Sequence, residues 1–358
     1  MPTPVTSPFA AVVIGGGISG LVCGYRLRQA GIPVRILEES ARPGGLIRSR
    51  NQDGFLFESG PQSFLSTEPL LNLIESLGLN EQLLRADPRA PRYILTHGKL
   101  VCAPLSPPSL LTSSLFGPLT KWRIFSEMTD HTHPPEDDES IADFIRRKFT
   151  GELLDQLVAP FVSGVYAGDP EKLSLRASFP SLHKFELEYG SVLKGAMKSR
   201  PPKGTPRAGL CSFREGMETL PRALAACLGD ALLTESSVAA IHRGRANGKP
   251  WFEIEITRKN HRETLAANSV VVATPTGVAS EILKGLSDQF PAAFGGVDYA
   301  PVAVVSAGYR REQLQKPAAG FGFLVPRCEN LRVLGTVFNS SLFPGRAPEG
   351  MECLTSFA

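Results

Sequence analysis

Net charge is almost missing from this sequence. Its 38 lysines and arginines stand against 35 aspartates and glutamates, leaving +3 over 358 residues. So small a surplus gives no electrostatic footprint for nucleic acid. The six cysteines (Cys23, Cys102, Cys211, Cys227, Cys328, Cys353) form no CxxC pair and no zinc spacing. They read as reduced thiols of a cytoplasmic protein. No window of about twenty residues is uniformly apolar, which excludes a membrane-spanning helix. The start, Met1-Pro-Thr-Pro-Val-Thr-Ser-Pro-Phe-Ala10, has no basic or apolar region, so no signal peptide is read. Internal repeats are also lacking. With 42% apolar residues, the chain can still build a large core and more than one domain.

What is present concentrates in residues 12–45. Val12-Val13-Ile14 is a short β-branched run suited to a buried parallel strand. Gly15, Gly17 and Gly20 follow at GxGxxG spacing. Leu21, Tyr25 and Leu27 then recur at roughly helical spacing, and Gly31 marks the stop. A second strand, Val34–Leu37, ends in Glu38. Together these make a βαβ unit with a dinucleotide-binding fingerprint. Gly15 permits the turn, Gly17 admits a pyrophosphate and Gly20 allows close helix–strand packing. The helix start offers N–H groups to phosphate. Glu38 is placed to accept ribose hydroxyls, which argues against NADP and leaves NAD and FAD.

The following residues, Arg42-Pro-Gly44-Gly45, resemble the RxGG segment of flavin amine oxidases. That resemblance implies FAD, held by Gly15, Gly16, Gly17, Ile18, Ser19, Gly20, Glu38, Glu39, Arg42, Gly44, Gly45 and Leu46. Arg42 is expected to supply charge near the phosphates. The string Phe57-Glu-Ser-Gly60-Pro61-Gln62-Ser63-Phe-Leu65 resembles the protoporphyrinogen oxidases within that group. It implies that Gly60, Pro61, Gln62 and Ser63 lie near the flavin ring. Pro160-Phe-Val-Ser-Gly-Val-Tyr166-Ala-Gly-Asp169-Pro-Glu-Lys-Leu-Ser174 resembles a segment of the same oxidases that general amine oxidases lack. Gly216-Met217-Glu-Thr-Leu220-Pro221 matches a further segment, with Glu215 replacing a glycine. Val238 matches a position whose backbone holds the FAD adenine in relatives.

The expected fold is α/β: an FAD-binding doubly wound (Rossmann-like) domain, an interleaved substrate domain on a mixed sheet, and a helical subdomain. Residues 1–85 and 205–275 are assigned to the FAD domain, its C-terminal part missing. Residues 86–100 and 276–358 are assigned to the substrate domain, and 101–204 to the helical one. A helix is expected over 68–84 with Leu70, Leu71, Ile74 and Leu77 inward. A hairpin is expected around His97-Gly98, and a helix capped by Ser140 with Asp143 at the capping-box position. Further strands are expected over 237–241, 251–256, 269–273 (buried), 303–309 and 331–338. Residues 127–140 read as a solvated polar loop, with no metal site at His131 and His133. Residues 199–207 read as a proline-rich boundary.

The resemblance implies FAD-dependent oxidation of a porphyrinogen, with dioxygen as acceptor and hydrogen peroxide as product. Protoporphyrinogen is the expected substrate. Coproporphyrinogen, another flavin-oxidase substrate and an inactive fragment stay open. No catalytic acid or base is expected, because the cofactor carries the chemistry. Arg92 is the candidate for a substrate propionate, since a guanidinium forks onto a carboxylate; a surface arginine on a strand edge is the alternative. Leu110, Leu111, Leu115, Phe116 and Trp122 read as buried, with peripheral membrane contact as the alternative. The run Cys353–Ala358 reads as mid-strand, so a C-terminally truncated chain is expected, and whether it retains FAD stays open.

Overall fold

The computed structural model describes residues 9–199, 209–246, 249–314, 316 and 318–358. It divides into two compact units, Met1–Leu84 with Leu210–Tyr299, and Arg85–Gly209 with Ala300–Ala358.

In the first unit, β1 (Ala11–Ile14), α1 (Ile18–Gln29) and β2 (Val34–Leu37) form the expected βαβ unit. A four-stranded sheet runs in the order Leu232–Leu233, β2, β1, Val270–Val272, with every pairing parallel. All four residues of β1 are buried, as a strand covered on both faces requires. Alternation sends them into two cores. Ala11 and Val13 join Leu21 of α1 and Leu220, Leu224 and Leu228 of the helix Thr219–Leu228. Val12 and Ile14 join Ile241, Ile254 and Ile256 of a three-stranded antiparallel sheet, Ser236–Ala246, Lys249–Arg258 and His261–Ala267. α1 ends with Gly31 N–H on Arg28 O and Ile32 N–H on Leu27 O, a Schellman pattern.

Several expectations change here. The helix of 68–84 stops at Ser76; a short 3-10 turn and the strand Leu83–Arg85 follow. Its inward residues are Leu73 and Ile74, flanked by Leu70 and Leu77, so Leu73 replaces Leu71. Val270–Val272 is an outer strand of its sheet, and Val271 is exposed rather than buried. Residues 276–299 lie in the first unit, not with 300–358, because Ala279, Ile282 and Leu283 fill the same core as Val12 and Ile14.

The second unit is built on a mixed six-stranded sheet. Its order is Val304–Arg310, Met351–Phe357, Gly335–Phe338, Gly322–Leu324, Arg92–Thr96, Lys99–Cys102. The hairpin turns at His97 and Gly98, both at positive φ. Leu331–Leu334 lies outside the strands, since pairing starts only at Gly335. Helices between Pro107 and Lys198 cover Ile94 of this sheet with Phe144, Ile145, Val162 and Leu175. Ser140 caps Ile141–Lys148 by accepting from Asp143 N at 3.0 Å. Of the five apolar residues weighed for membrane contact, Leu115 and Phe116 are buried, whereas Leu111 and Trp122 are exposed. The expected boundary loop lies outside the described residues from 200 to 207. No described helix is long and apolar enough to cross a membrane.

The polar stretch 127–140 is not simply solvated. Glu127 is wholly buried, and Asp130 and Thr132 both accept hydrogen bonds from buried Lys148. The physical reason is the helix Ile141–Lys148, which carries its lysine on the apolar face and brings carboxylates in to meet it.

Candidate functional site

β1 delivers the chain into the first glycine turn, where Gly15 N–H donates to Leu37 O at 2.8 Å. Gly15 has φ +106°, and a Cβ there would lie 2.6 Å from Ala273 O. A Cβ on Gly20 would lie 1.8 Å from Gly15 O, so the close helix–strand approach is a steric fact. Gly17 differs: apart from its chain neighbours, no protein atom lies within 4 Å of its would-be Cβ. It precedes α1, which no side chain caps. The helix start therefore presents backbone N–H groups beside open space, the arrangement that takes an anion.

Glu38 closes one side of this turn. Its Oε2 accepts Gly16 N–H at 2.6 Å, and its Oε1 accepts Ser40 N–H at 2.9 Å. Glu39, exposed, accepts from Ser237 Oγ at 3.3 Å. Ser236 N–H donates to Glu38 O at 2.8 Å, which brings Val238 to within two residues of this acid. The strand ladder slips between Val238 and Ala240, a bulge that interrupts pairing beside Val238.

The second glycine loop docks on the first. Gly44 N–H donates to Gly16 O at 2.8 Å, and a Cβ on Gly45 would lie 3.3 Å from Gly17 Cα. Arg42 does not simply offer charge. Its guanidinium donates to Pro43 O at 3.0 Å, Ile47 O at 2.8 Å and Gly45 O at 2.7 Å. It builds the loop that the resemblance assigns to the phosphates. Leu46 is 87% exposed, and its carbonyl would meet a Cβ on Gly60 at 2.1 Å. That packing brings in the turn Gly60–Ser63. Within it Pro61 is exposed, while Gln62 is buried with Nε2 on Gly60 O at 3.0 Å.

Thus Gly15–Gly20, Glu38, the Gly44–Gly45 loop and the start of the Gly60 turn are linked directly, with Val238 attached through Ser236. Arg92 belongs to the second unit. It opens the strand Arg92–Thr96, which is flanked on both sides and so is not an edge strand. Its guanidinium lies 5.1 Å from the centre of the Phe321 ring. Sequence reasoning missed Ser49, Glu58 and Glu218, which brace the glycine loops from behind. The acid inside Gly216-Met217-Glu218 was the available signal.

The family described as flavin containing amine oxidoreductase matches residues 18–358. Protoporphyrinogen oxidase 1, chloroplastic, of Arabidopsis thaliana is 34% identical over 370 residues, covering 97% of this chain and 68% of the relative. Protoporphyrinogen oxidase of Homo sapiens is 32% identical over 372 residues, covering 95% and 75%. The chain thus spans about two thirds of the length of the plant protein and three quarters of the human one. A crystal structure from Exiguobacterium sp. 255-15 shares the fold, with TM-score 0.81, 24% identity, and coverage of 99% of this chain and 77% of that one. The open space over Gly17 and the uncapped helix start fit the flavin dinucleotide of this family, and the cofactor is FAD. The chain belongs to the flavin-containing amine oxidoreductases and, within them, to the protoporphyrinogen oxidases.

Proposed function

We propose that this chain oxidises protoporphyrinogen to protoporphyrin with FAD as cofactor and dioxygen as final acceptor, giving hydrogen peroxide. The observation that carries the reading is the match along almost the whole chain to protoporphyrinogen oxidases, joined to a dinucleotide cradle with open space at Gly17. When bound, FAD supplies acceptance of hydride from a reduced carbon. The chain's residues bind and orient. In this reading Gly15–Gly20 and Gly44–Gly45 hold the pyrophosphate, Glu38 with Glu39 holds the ribose, and Val238 the adenine. Arg42 shapes the loop, exposed Leu46 contacts the cofactor, and Gly60–Ser63 lie near the ring. No side chain is assigned a proton transfer.

Arg92 is proposed to hold a propionate of the substrate. Arg92→Ala is expected to raise KM for protoporphyrinogen about tenfold while kcat changes less than about twofold, the cost of one charge-assisted hydrogen bond. A KM within twofold of the parent overturns the assignment.

Six free thiols support a reducing compartment such as the cytoplasm. Exposed Leu119, Trp122 and Phe125 support peripheral membrane contact by the second unit. The decisive experiment adds FAD to the purified chain and feeds it protoporphyrinogen without oxygen. The expected result is bleaching of the bound flavin, restored by air with release of peroxide. A retained flavin that stays yellow overturns the substrate, and coproporphyrinogen is then compared.

A further inference from the structure

Behind the two glycine loops lies a buried polar clamp. Glu218 is 6% exposed. Its Oε2 accepts Ser49 N–H at 2.9 Å, and its own N–H donates to Ser49 Oγ at 3.0 Å. Ser49 Oγ donates in turn to Glu58 Oε2 at 2.6 Å, and Glu58 Oε1 accepts Met217 N–H at 2.8 Å. The residues beyond the Gly44–Gly45 loop are therefore locked to the segment Gly216–Glu218. The fit leaves no slack, since a Cβ on Gly216 would lie 2.3 Å from Ser49 Oγ. The same Glu218 carboxylate faces Arg42, with Oε1 3.7 Å from Nη1.

We propose that Glu218 is a positioning residue for the flavin: through Ser49 and Arg42 it sets the shape of the Gly44–Gly45 loop against Gly16–Gly17. This rests on the reading that those loops hold the FAD pyrophosphate. The chain of contacts is continuous. Glu218 fixes Ser49 and orients Arg42; Arg42 gathers the carbonyls of Pro43, Gly45 and Ile47; Gly44 N–H then bonds Gly16 O. The ion pair at 3.7 Å is too long, and Arg42 too exposed, to matter much alone. The half-buried hydrogen bond to Ser49 N–H, which is short at 2.9 Å and ends on a carboxylate, is the stronger part.

The test uses the full chain carrying Glu218→Ala or Glu218→Gln. FAD affinity is measured by quenching of flavin fluorescence. Hydrogen exchange of residues 44–49 is measured without FAD. Glu218→Ala is expected to weaken FAD about tenfold and to speed exchange of the 44–49 amides about tenfold, leaving β1 unchanged. Glu218→Gln should fall between, because its amide oxygen still accepts from Ser49. Lys284→Ala, a surface substitution, is the unaffected control. Unchanged affinity and exchange in Glu218→Ala overturn the role. Should that variant fail to fold, Glu218→Gln decides, with parental affinity and exchange again overturning it. A parent chain that binds no FAD overturns the cofactor site itself, and this role with it.

Discussion

A Gly17→Ala variant is expected to fold as well as its parent and to lose about two orders of magnitude in FAD affinity. The first half follows from the protein alone. Gly17 has φ −67° and ψ 175°, a conformation that alanine adopts freely. Apart from its chain neighbours, its new methyl would meet no protein atom within 4 Å. Alanine is a poorer N-cap than glycine by a fraction of a kcal/mol, but it also removes about 0.4–1 kcal/mol of unfolded-state entropy. These nearly cancel. The second half follows from where the methyl goes, into the space beside the helix N–H groups. A ligand phosphate drawn against that backbone must retreat by about a methyl radius, and about 2.7 kcal/mol, a hundredfold, is a fair expectation. Gly20→Ala is the contrasting case. Its Cβ would sit 1.8 Å from a backbone oxygen that cannot rotate away, so stability itself should fall by about 3 kcal/mol or more. Thermal melts without FAD, set beside FAD titrations, separate the two. A Gly17→Ala chain that binds FAD like its parent removes the pyrophosphate from this turn.

Gly15, Gly20 and β1 show why this part of the fold was legible. A turn that needs positive φ, a helix needing close approach and a strand buried on both faces each demand particular residues in adjacent positions. The hairpin at His97-Gly98 and the Ser140 cap were readable for the same local reason. Arg42 was not. Its partner Glu218 is 176 residues away in sequence (218 minus 42), and nothing local says whether an arginine faces a ligand or its own loop. Leu331–Leu334 failed differently. The apolar pattern suits a strand, yet pairing with Gly322–Leu324 begins only at Gly335, because a sheet's extent is set by its partner.

Lys148→Met is expected to be among the most damaging single changes in the second unit, for a reason the stretch 127–140 concealed. Lys148 follows Ile141, Phe144 and Ile145 on the buried face of their helix and is itself wholly buried. Its ammonium donates to Thr132 Oγ1 at 2.9 Å, Gly190 O at 2.8 Å and Asp130 Oδ2 at 3.3 Å. It also stands 3.5 Å from Glu186 and 3.7 Å from Glu127. Glu186 has a second cation, since Arg147 forks onto it at 2.7 and 2.9 Å. Glu127 instead caps the helix Val192–Lys198, accepting Val192 N–H at 2.6 Å and Ser191 Oγ–H at 2.9 Å. One lysine thus joins four segments, and methionine would keep its volume but leave buried carboxylates short of a charge. Removing one partner of such a set typically costs about 3–5 kcal/mol. Urea unfolding followed by circular dichroism should show that loss, and a cost below about 1 kcal/mol would mean that water replaces the ammonium. Acid should act on the same joint. Burial alone would raise the Asp130 carboxyl, but Lys148 and then Arg123 outweigh it and hold Asp130 below its ordinary value of 3.8. A depressed carboxyl stabilises fully above its unfolded value and loses that contribution as pH falls through the folded one. The parent should therefore lose the Asp130 contribution only below about pH 4. In Lys148→Met the Asp130 carboxyl no longer has the ammonium beside it, so its depression, and with it the stability lost below about pH 4, should shrink. A slope of stability against pH below about 4 that matches the parent's would show that Lys148 does not hold Asp130 down.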